Sequence, residues 1–232
     1  SAITDPPPLH ALMLGAWMQA AGYGGAAGRE VAVRFVSLWW SVLAVALTWR
    51  VGRELLTDSI GALGALLMAT SAFAVWYAQE ARGYSLLLAL TLIATWAFVR
   101  ACGKPSSLAS RPRRTWGTWL AFILAGIAAL YTHYYAAFTL LALNAAFLAV
   151  LACKRQAPSR ITHDSSRFYL AHLAIVLGFA PWLPAAIQQA AANVSFFPGR
   201  VGWQTVVNDT LRAFATGDPT PTNTASVAMI VM

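Results

Sequence analysis

The residues best suited to chemistry in this chain lie in the stretch "WYAQEARGYSLL", where four polar side chains, Gln79, Glu80, Arg82 and Tyr84, follow one another between apolar runs. The planar guanidinium donors of an arginine match the oxygens of a phosphate, so Arg82 is a candidate ligand for a phosphate headgroup. Glu80 stands two residues away, and two such positions point to different faces of a regular helix. A turn could instead pair Glu80 with Arg82. The stretch therefore predicts either a lipid-phosphate site or an interfacial ion pair beside an aromatic belt.

Other polar residues on the same predicted side of the membrane are few. Arg34 and Glu30 are four residues apart, which predicts a pair along one helix face. His133 stands among tyrosines in "YTHYY", which favours a hydrogen-bonded interface residue over a base or ligand. Asp5 precedes three prolines, as in many turns, although a carboxylate above a cavity could also serve as a base. We place His10 and Arg34 at the rim of a cavity on this side of the membrane, and no spacing in the sequence predicts a metal site.

The composition indicates the class of protein that contains these residues. Of the 232 residues, 59% are hydrophobic and 10% are charged, whereas a soluble domain carries about 25% charged residues. The chain is therefore expected to be a multi-pass membrane protein. The net charge of +8 does not indicate nucleic-acid binding, because the basic residues cluster in short loops between apolar runs.

The pattern predicts an all-α fold, a polytopic transmembrane helix bundle of about six spans. Residues 1–28 form an outer loop and an interfacial helix, which begins near Leu9 after the prolines, ends at the glycines from Gly22, and is too short to cross a bilayer. The six spans fill residues 29–184, an outer loop follows over residues 185–224, and residues 225–232 start a further span. We predict the spans at residues 31–51, 59–77, 84–99, two within 115–153 around "YTHYY", and 168–183.

The positive-inside rule orients this bundle. Alternate loops must lie on opposite sides, and one side receives eleven of the sixteen basic residues. That side is expected to be cytoplasmic, in the plasma or inner membrane. The opposite, extracytoplasmic side receives the amino-terminal helix, Glu80 with Arg82, "YTHYY" and the long loop.

The order of four pieces resembles the amino-terminal module of the bacterial GT-C membrane glycosyltransferases of the dolichyl-phosphate-mannose protein mannosyltransferase type. These pieces are "DPPPLHALMLGAWMQAAG", "REVAVRFVSLWWSVLAVALTWRVGRELL", "WYAQEARGYSLLLAL" and "ALYTHYYAAFTLLAL". The similarity covers roughly residues 5–151, and the combination is more specific than any piece alone. The chain departs from the family at Pro6, where a histidine is usual, and at His10, where a tyrosine is frequent.

The resemblance implies transfer of a sugar, with inversion, from a polyprenyl-phosphate donor to an acceptor hydroxyl on the extracytoplasmic side. It assigns the donor phosphate to Arg82, Glu80, Gln79 and Tyr84, with His133 at the cavity rim. A carboxylate in the first outer loop acts as general base in such enzymes, and here it is either Asp5 or, as we favour, a residue upstream of Ser1. We read the chain as part of a longer protein.

The partners expected are a lipid-linked sugar donor and membrane lipids. The sequence requires no cofactor and gives no support for a divalent cation. The alternative from another class is a catalytically inactive subunit of the same fold with a structural role in a membrane complex. A transporter is disfavoured because no inverted repeat is visible.

Overall fold

The computed structural model describes residues 7–22, 26–102, 115–153, 158–192 and 202–216. These residues are helical apart from short connections. Helix α1 spans Leu9–Ala20, as the prolines and glycines predict. Its end is closed by backbone hydrogen bonds from Ala21 to Trp17 and from Gly22 to Gln19, and Gly22 has a φ of +63°, a left-handed conformation that glycine adopts without strain.

The next three helices are α2 at Ala26–Leu55, α3 at Asp58–Thr70 and α4 at Ala72–Gln79. We predicted one unbroken span over residues 59–77, but α3 and α4 are bent by 58° at the break between them. Ser71 makes this break, because its backbone is extended and its hydroxyl accepts a hydrogen bond from the amide of Ala74 at 3.4 Å. The serine thus caps a new helix instead of continuing the old one.

Three further helices complete the middle of the chain: α5 at Tyr84–Cys102, α6 at Thr115–Leu130 and α7 at Ala136–Cys153. The segment "YTHYY" forms the turn between α6 and α7, as predicted. The last part contains α8 at Pro158–Phe179, a 3-10 turn at Ala180–Trp182, α9 at Leu183–Ala192 and α10 at Trp203–Thr216.

The carboxyl-terminal part corrects two predictions. Pro181 lies in the 3-10 turn that separates α8 from α9, so the prolines break the helix as predicted. Pro184 lies in the first turn of α9, where a missing N–H costs no helical bond, and the apolar segment therefore extends to Ala191 and not only to residue 183. We predicted an outer loop over residues 185–224 without helices, and the structure has most of α9 and all of α10 within this range. Residues 225–232, the expected start of a further span, lie outside the described residues.

Among the described residues, three helical segments are long and apolar enough to cross a membrane, at Arg29–Leu55, Tyr84–Ala101 and Ser165–Ala191. The bent pair α3 and α4 makes a fourth if it is one span. Two more apolar helices are shorter, at Trp116–Leu130 and Ala136–Ala149. The prediction of an all-helical bundle with several apolar helices is therefore confirmed, with three or four candidate membrane spans among the described residues.

Contacts at both ends of α2 show that α2 and α5 run in the same direction. In the first half of α2, the Ser37 hydroxyl donates to the carbonyl of Arg82, just before α5, at 3.4 Å. Near the end of α2, Glu54 forms a 2.9 Å ion pair with Arg100 in the last turn of α5. The bent pair therefore carries the chain from one end of the bundle back to the other.

Helices α6 and α8 also run in the same direction. Arg167, in the middle of α8, lies over the ring of Trp116 near the start of α6 at 5.3 Å, and the Tyr131 hydroxyl, just after α6, donates to the carbonyl of Gly178 near the end of α8 at 3.2 Å. Helix α7 runs the opposite way, since Phe147 stacks on Phe168 at 4.0 Å while Tyr134, before α7, reaches Gln189, after α8.

The core of the bundle is formed by α5, α6, α7 and α8 and is rich in aromatic side chains. Phe122 and Phe168 are fully buried there, and Phe98, Trp119 and Phe147 pack around them. One polar pair crosses this core, where Asn144 on α7 donates to Nε2 of His172 on α8 at 2.8 Å. The Nδ1–H of His172 donates to the carbonyl of Phe168 at 3.0 Å, so the ring is neutral with both nitrogens satisfied.

Candidate functional site

Three sequence motifs that lie far apart in the chain meet at one end of the bundle. The backbone amide of Leu9, at the start of α1, donates to the carbonyl of Tyr131 at 2.9 Å. Gly83, in the turn before α5, packs against the next residue of each segment. A Cβ placed on Gly83 would be 3.1 Å from Cγ2 of Thr132 and 3.3 Å from Cβ of His10. The start of α1, the "QEARGY" turn and "YTHYY" thus form one surface.

A pocket opens at this end of the bundle, between α2 and the turn that follows α4. Its volume is about 420 Å³, which falls within the range of about 300–1,000 Å³ typical of small-molecule sites. Its lining contains three charged side chains, two of them arginines, beside one large aromatic ring. The lining residues are Arg34, Trp76, Gln79, Glu80, Ala81 and Arg82.

Glu80 and Arg82 do not form the ion pair that was one of the two sequence-based interpretations. Among the described residues, neither side chain has an ion-pair partner, and Oε2 of Glu80 is buried without any hydrogen-bond partner. A buried carboxylate oxygen without a donor is costly in a protein that has no ligand for it. The pocket therefore holds an unsatisfied acceptor beside an unpaired guanidinium.

Arg34 is the second cation of the pocket. It pairs with Glu30 at 2.7 Å, as the four-residue spacing predicts. Both side chains are more than half exposed, so the pair contributes little to stability, about 0–1 kcal/mol. Arg34 can therefore exchange Glu30 for an anionic ligand at small cost.

Tyr84 and His133 lie next to each other beside the pocket. Their ring centroids are 5.5 Å apart, and Tyr84 also meets Tyr77 edge-on at 5.0 Å. The backbone amide of Tyr135 donates to Nδ1 of His133 at 3.2 Å, so Nδ1 carries no proton and the neutral ring has its hydrogen on Nε2. Burial lowers the pKa of His133 from its usual value of 6.5, which favours this neutral form at pH 7.

His10 contacts the same turn from α1. Burial lowers its pKa as well, and its Nε2 is buried with no hydrogen-bond partner among the described residues. Of the residues assigned to the cavity rim, Arg34 lines the pocket itself, whereas His10 and His133 contact the turn that forms one of its walls. Asp5 lies outside the described residues, so its position is not tested.

Two tyrosines of "YTHYY" have structural roles. The hydroxyl of Tyr134 donates to Oε1 of Gln189 at 2.5 Å and accepts from Nε1 of Trp182 at 3.2 Å. Tyr131 donates to the carbonyl of Gly178. These bonds tie the turn to α8, α9 and the 3-10 turn between them.

The sequence interpretation missed two residues of this site and placed a third, Trp76, only in the aromatic belt. Trp76 lines the pocket, Ser37 binds the carbonyl of Arg82, and buried Thr132 packs under Gly83. A hydroxyl in an apolar run was the available signal for Ser37 and Thr132, since buried hydroxyls need partners. No group of three or more His, Cys, Asp or Glu side chains that could hold a metal occurs in the described ranges.

Comparison with known proteins gives one match. The family model described as dolichyl-phosphate-mannose-protein mannosyltransferase matches residues 5–184, which is more than three quarters of the chain and contains the three motifs of the site. No individual curated protein and no solved structure matches the chain.

Proposed function

The chain belongs to the dolichyl-phosphate-mannose-protein mannosyltransferase family of membrane glycosyltransferases, and from this premise we propose that its pocket binds the phosphate of a polyprenyl-phosphate sugar. In the proposed reaction the sugar passes, with inversion, to an acceptor hydroxyl on the extracytoplasmic side. The observation that carries the proposal is the pocket with Arg34 and Arg82 in its lining, at the end of the bundle where the three motifs meet.

Arginine side chains suit the electrostatic demand of this reaction. The acceptor oxygen attacks the anomeric carbon of the sugar, the bond from that carbon to the phosphate oxygen breaks, and the polyprenyl phosphate leaves with the electron pair. The phosphate gains negative charge in the transition state, so preorganised cations beside it lower the barrier. Arg82 is the first candidate for this role and Arg34 the second.

The acceptor hydroxyl must lose its proton, and a carboxylate is the expected base. Asp5, or an acidic residue encoded before Ser1, would fill this role in our proposal. Asp5 precedes Pro7 by two residues, and Pro7 is buried next to the start of α1. This proximity along the chain supports Asp5 as a candidate without assigning it.

The structure favours a role for Glu80 other than an ion pair with Arg82. Because Oε2 is a buried acceptor without a donor, and Arg82 does not supply one, we assign it to a hydroxyl group of the bound ligand. A hydrogen bond from a sugar hydroxyl to a carboxylate is charge-assisted and would help to orient the donor for attack.

The arrangement of the helices supports six membrane crossings. Helices α2 and α5 are parallel, as are α6 and α8, so the bent pair α3–α4 and α7 must each return the chain to the other end. Helix α6 has 16 residues, which is about 24 Å at 1.5 Å per residue, somewhat less than a hydrocarbon core of about 30 Å. By sequence, eleven of the sixteen basic residues belong to the end opposite the pocket and to the loops that join helices there, so we place the pocket outside.

Exchange of Arg82 for alanine tests the phosphate role. We expect Arg82→Ala to weaken binding of undecaprenyl phosphate by about ten- to a hundredfold, since a hydrogen bond to a charged group contributes about 1.5–3 kcal/mol. Affinity is measured from the rise in melting temperature of the full-length protein in detergent at increasing lipid concentration. Sugar transfer from polyprenyl-phosphate mannose in proteoliposomes should fall at least as far.

Arg53→Ala is the matched control, because Arg53 lies at the opposite end of the bundle and pairs with Asp58 at 3.4 Å. This control should bind undecaprenyl phosphate as the unchanged protein does. Equal binding by the Arg82→Ala variant would overturn the phosphate role of Arg82, and absence of lipid binding by the unchanged protein would overturn the proposed function itself.

A further inference from the structure

Helix α10 has the most segregated apolar stripe of the carboxyl-terminal part of the chain, and none of the roles above uses it. Its large apolar residues recur at the three- and four-residue spacing that places them on one helix face. The opposite face is polar. The stripe consists of Trp203, Val206, Val207, Thr210, Leu211 and Phe214, and the polar face carries Gln204, Thr205, Asn208, Asp209 and Arg212.

Most of this stripe is uncovered. Trp203 is 78% exposed, Leu211 is 63% exposed and Phe214 is 58% exposed. The bundle contacts the stripe mainly through Phe73 on α4, whose ring stacks on that of Phe214 at 4.6 Å. This stacked pair lies at the carboxyl-terminal end of the stripe, and Trp203 and Leu211 remain mostly exposed.

The position of this contact identifies what covers the stripe. Helix α4 is the second half of the bent pair, and its Val75 and Trp76 are exposed apolar side chains on a segment apolar enough to lie in a membrane. The stripe of α10 therefore adjoins an exposed apolar surface of a candidate membrane span. Exposed tryptophan at one end of the helix is typical of the membrane interface.

We propose that α10 lies along the outer membrane interface, with its apolar face in the acyl-chain boundary of the bilayer and Phe214 docked on α4. The helix combines a segregated apolar face with low overall hydrophobicity, which favours lying at the interface over crossing the bilayer. Its formal charges are Asp209 and Arg212, which cancel, so attachment rests on apolar contact and not on anionic lipid. The same contact links the lipid surface to α4, whose Trp76 and Gln79 line the pocket.

Site-specific fluorescence in the full-length protein tests this inference. Cys102 and Cys153 are replaced by alanine, and single cysteines are introduced as Val207→Cys and Leu211→Cys on the stripe. The matched controls are Thr205→Cys and Asn208→Cys on the polar face of the same helix. Each variant is labelled with an environment-sensitive NBD probe and reconstituted into phosphatidylcholine vesicles.

We expect the probes at 207 and 211 to show blue-shifted emission and loss of fluorescence with nitroxide-labelled lipid. The probes at 205 and 208 should instead be quenched by aqueous iodide, and added phosphatidylglycerol should leave the fluorescence of all four probes unchanged.

Iodide quenching at all four sites would overturn the proposal, because the stripe would then face water. Protection of 207 and 211 from both quenchers would also overturn it, because the stripe would then be covered by protein, either a second copy or another part of the chain. A response to phosphatidylglycerol would overturn the apolar basis of attachment.

Discussion

At the scale of single residues, the chemistry of the pocket depends on which charges are paired. Arg34 has a partner four residues away on its own helix, whereas Arg82 and Glu80 have no ion-pair partner within the described part of the chain. The two unpaired groups lie in the turn between α4 and α5, where backbone geometry and not helical spacing sets the direction of each side chain. An anionic donor with sugar hydroxyls would satisfy both groups at once.

Exchange of Glu80 for glutamine tests this view. We expect Glu80→Gln to lower sugar transfer by about tenfold or more, because a charge-assisted hydrogen bond to the ligand is lost. The melting temperature of the ligand-free protein should change little or rise, since Oε2 has no partner whose bond could be broken. Transfer is measured in proteoliposomes and unfolding in detergent.

Glu54→Gln provides the comparison for Glu80→Gln. Glu54 pairs with Arg100 at 2.9 Å far from the pocket, and both side chains are largely buried. Its exchange should lower stability by about 1 kcal/mol and leave lipid binding intact. The reverse result, a stability loss for Glu80→Gln without a change in transfer, would make Glu80 a structural residue.

At the scale of elements, the spacing between α2 and α3 determines where the bent pair lies. Gly52 and Gly61 let the two helices touch, because a Cβ on Gly61 would be 2.7 Å from the carbonyl oxygen of Trp49 and 2.8 Å from the amide nitrogen of Arg53. Small residues at such crossings allow close backbone packing in membranes. Since α4 follows α3 directly, this contact also sets the position of the pocket wall.

We therefore predict that Gly61→Ala destabilises the protein. The added methyl group meets backbone atoms that cannot rotate away, and overpacking of this kind costs about 1–3 kcal/mol. Thermal unfolding in detergent measures the effect. Gly15→Ala in α1 is the control, because nothing lies within 4 Å of a Cβ at that position, and alanine there should be neutral or stabilising by up to about 1 kcal/mol. Equal melting temperatures for the two variants would contradict the close packing of α2 on α3.

At the scale of the whole molecule, the two ends of the bundle carry different functional groups. One end holds the pocket, the start of α1 and "YTHYY", which contact one another directly. The other end holds Arg50, Arg53 and Arg100, with guanidinium groups over the rings of Trp49 and Trp96. Tryptophan is typical of a membrane boundary, and the excess of basic residues in the loops next to this end indicates the cytoplasmic side.

Cysteine labelling tests the orientation. In a background without Cys102 and Cys153, a cysteine at position 208 should react with a membrane-impermeant maleimide added to intact cells. A cysteine at position 113 should react only after the membrane is permeabilised, because the basic loop is retained inside. The opposite pattern would invert the orientation, and reaction of both from outside would contradict an odd number of crossings between them.

The sequence alone determined the fold class, the bounds of α1 and the Arg34–Glu30 pair. Each of these rests on periodicity or on fixed helical spacing, which are local properties. The same local view predicted one unbroken second span and a loop in place of α10. It missed that Ser71, within a long apolar run, caps a new helix. It also missed the three- and four-residue apolar spacing from Trp203 onward, because prolines and polar residues flank this segment on both sides.

Only the tertiary structure decided how the polar residues combine. Contacts between residues about 50 to 120 positions apart bring Leu9, Gly83 and Thr132 together, and no local pattern encodes such distances. The direction of the Glu80 side chain, the absence of an ion pair with Arg82, and the supporting roles of Ser37 and Trp76 depend on how α2, α4 and α5 pack. Composition and periodicity determine which helices form and that lipid surrounds them, whereas close packing between those helices determines which side chains share a pocket.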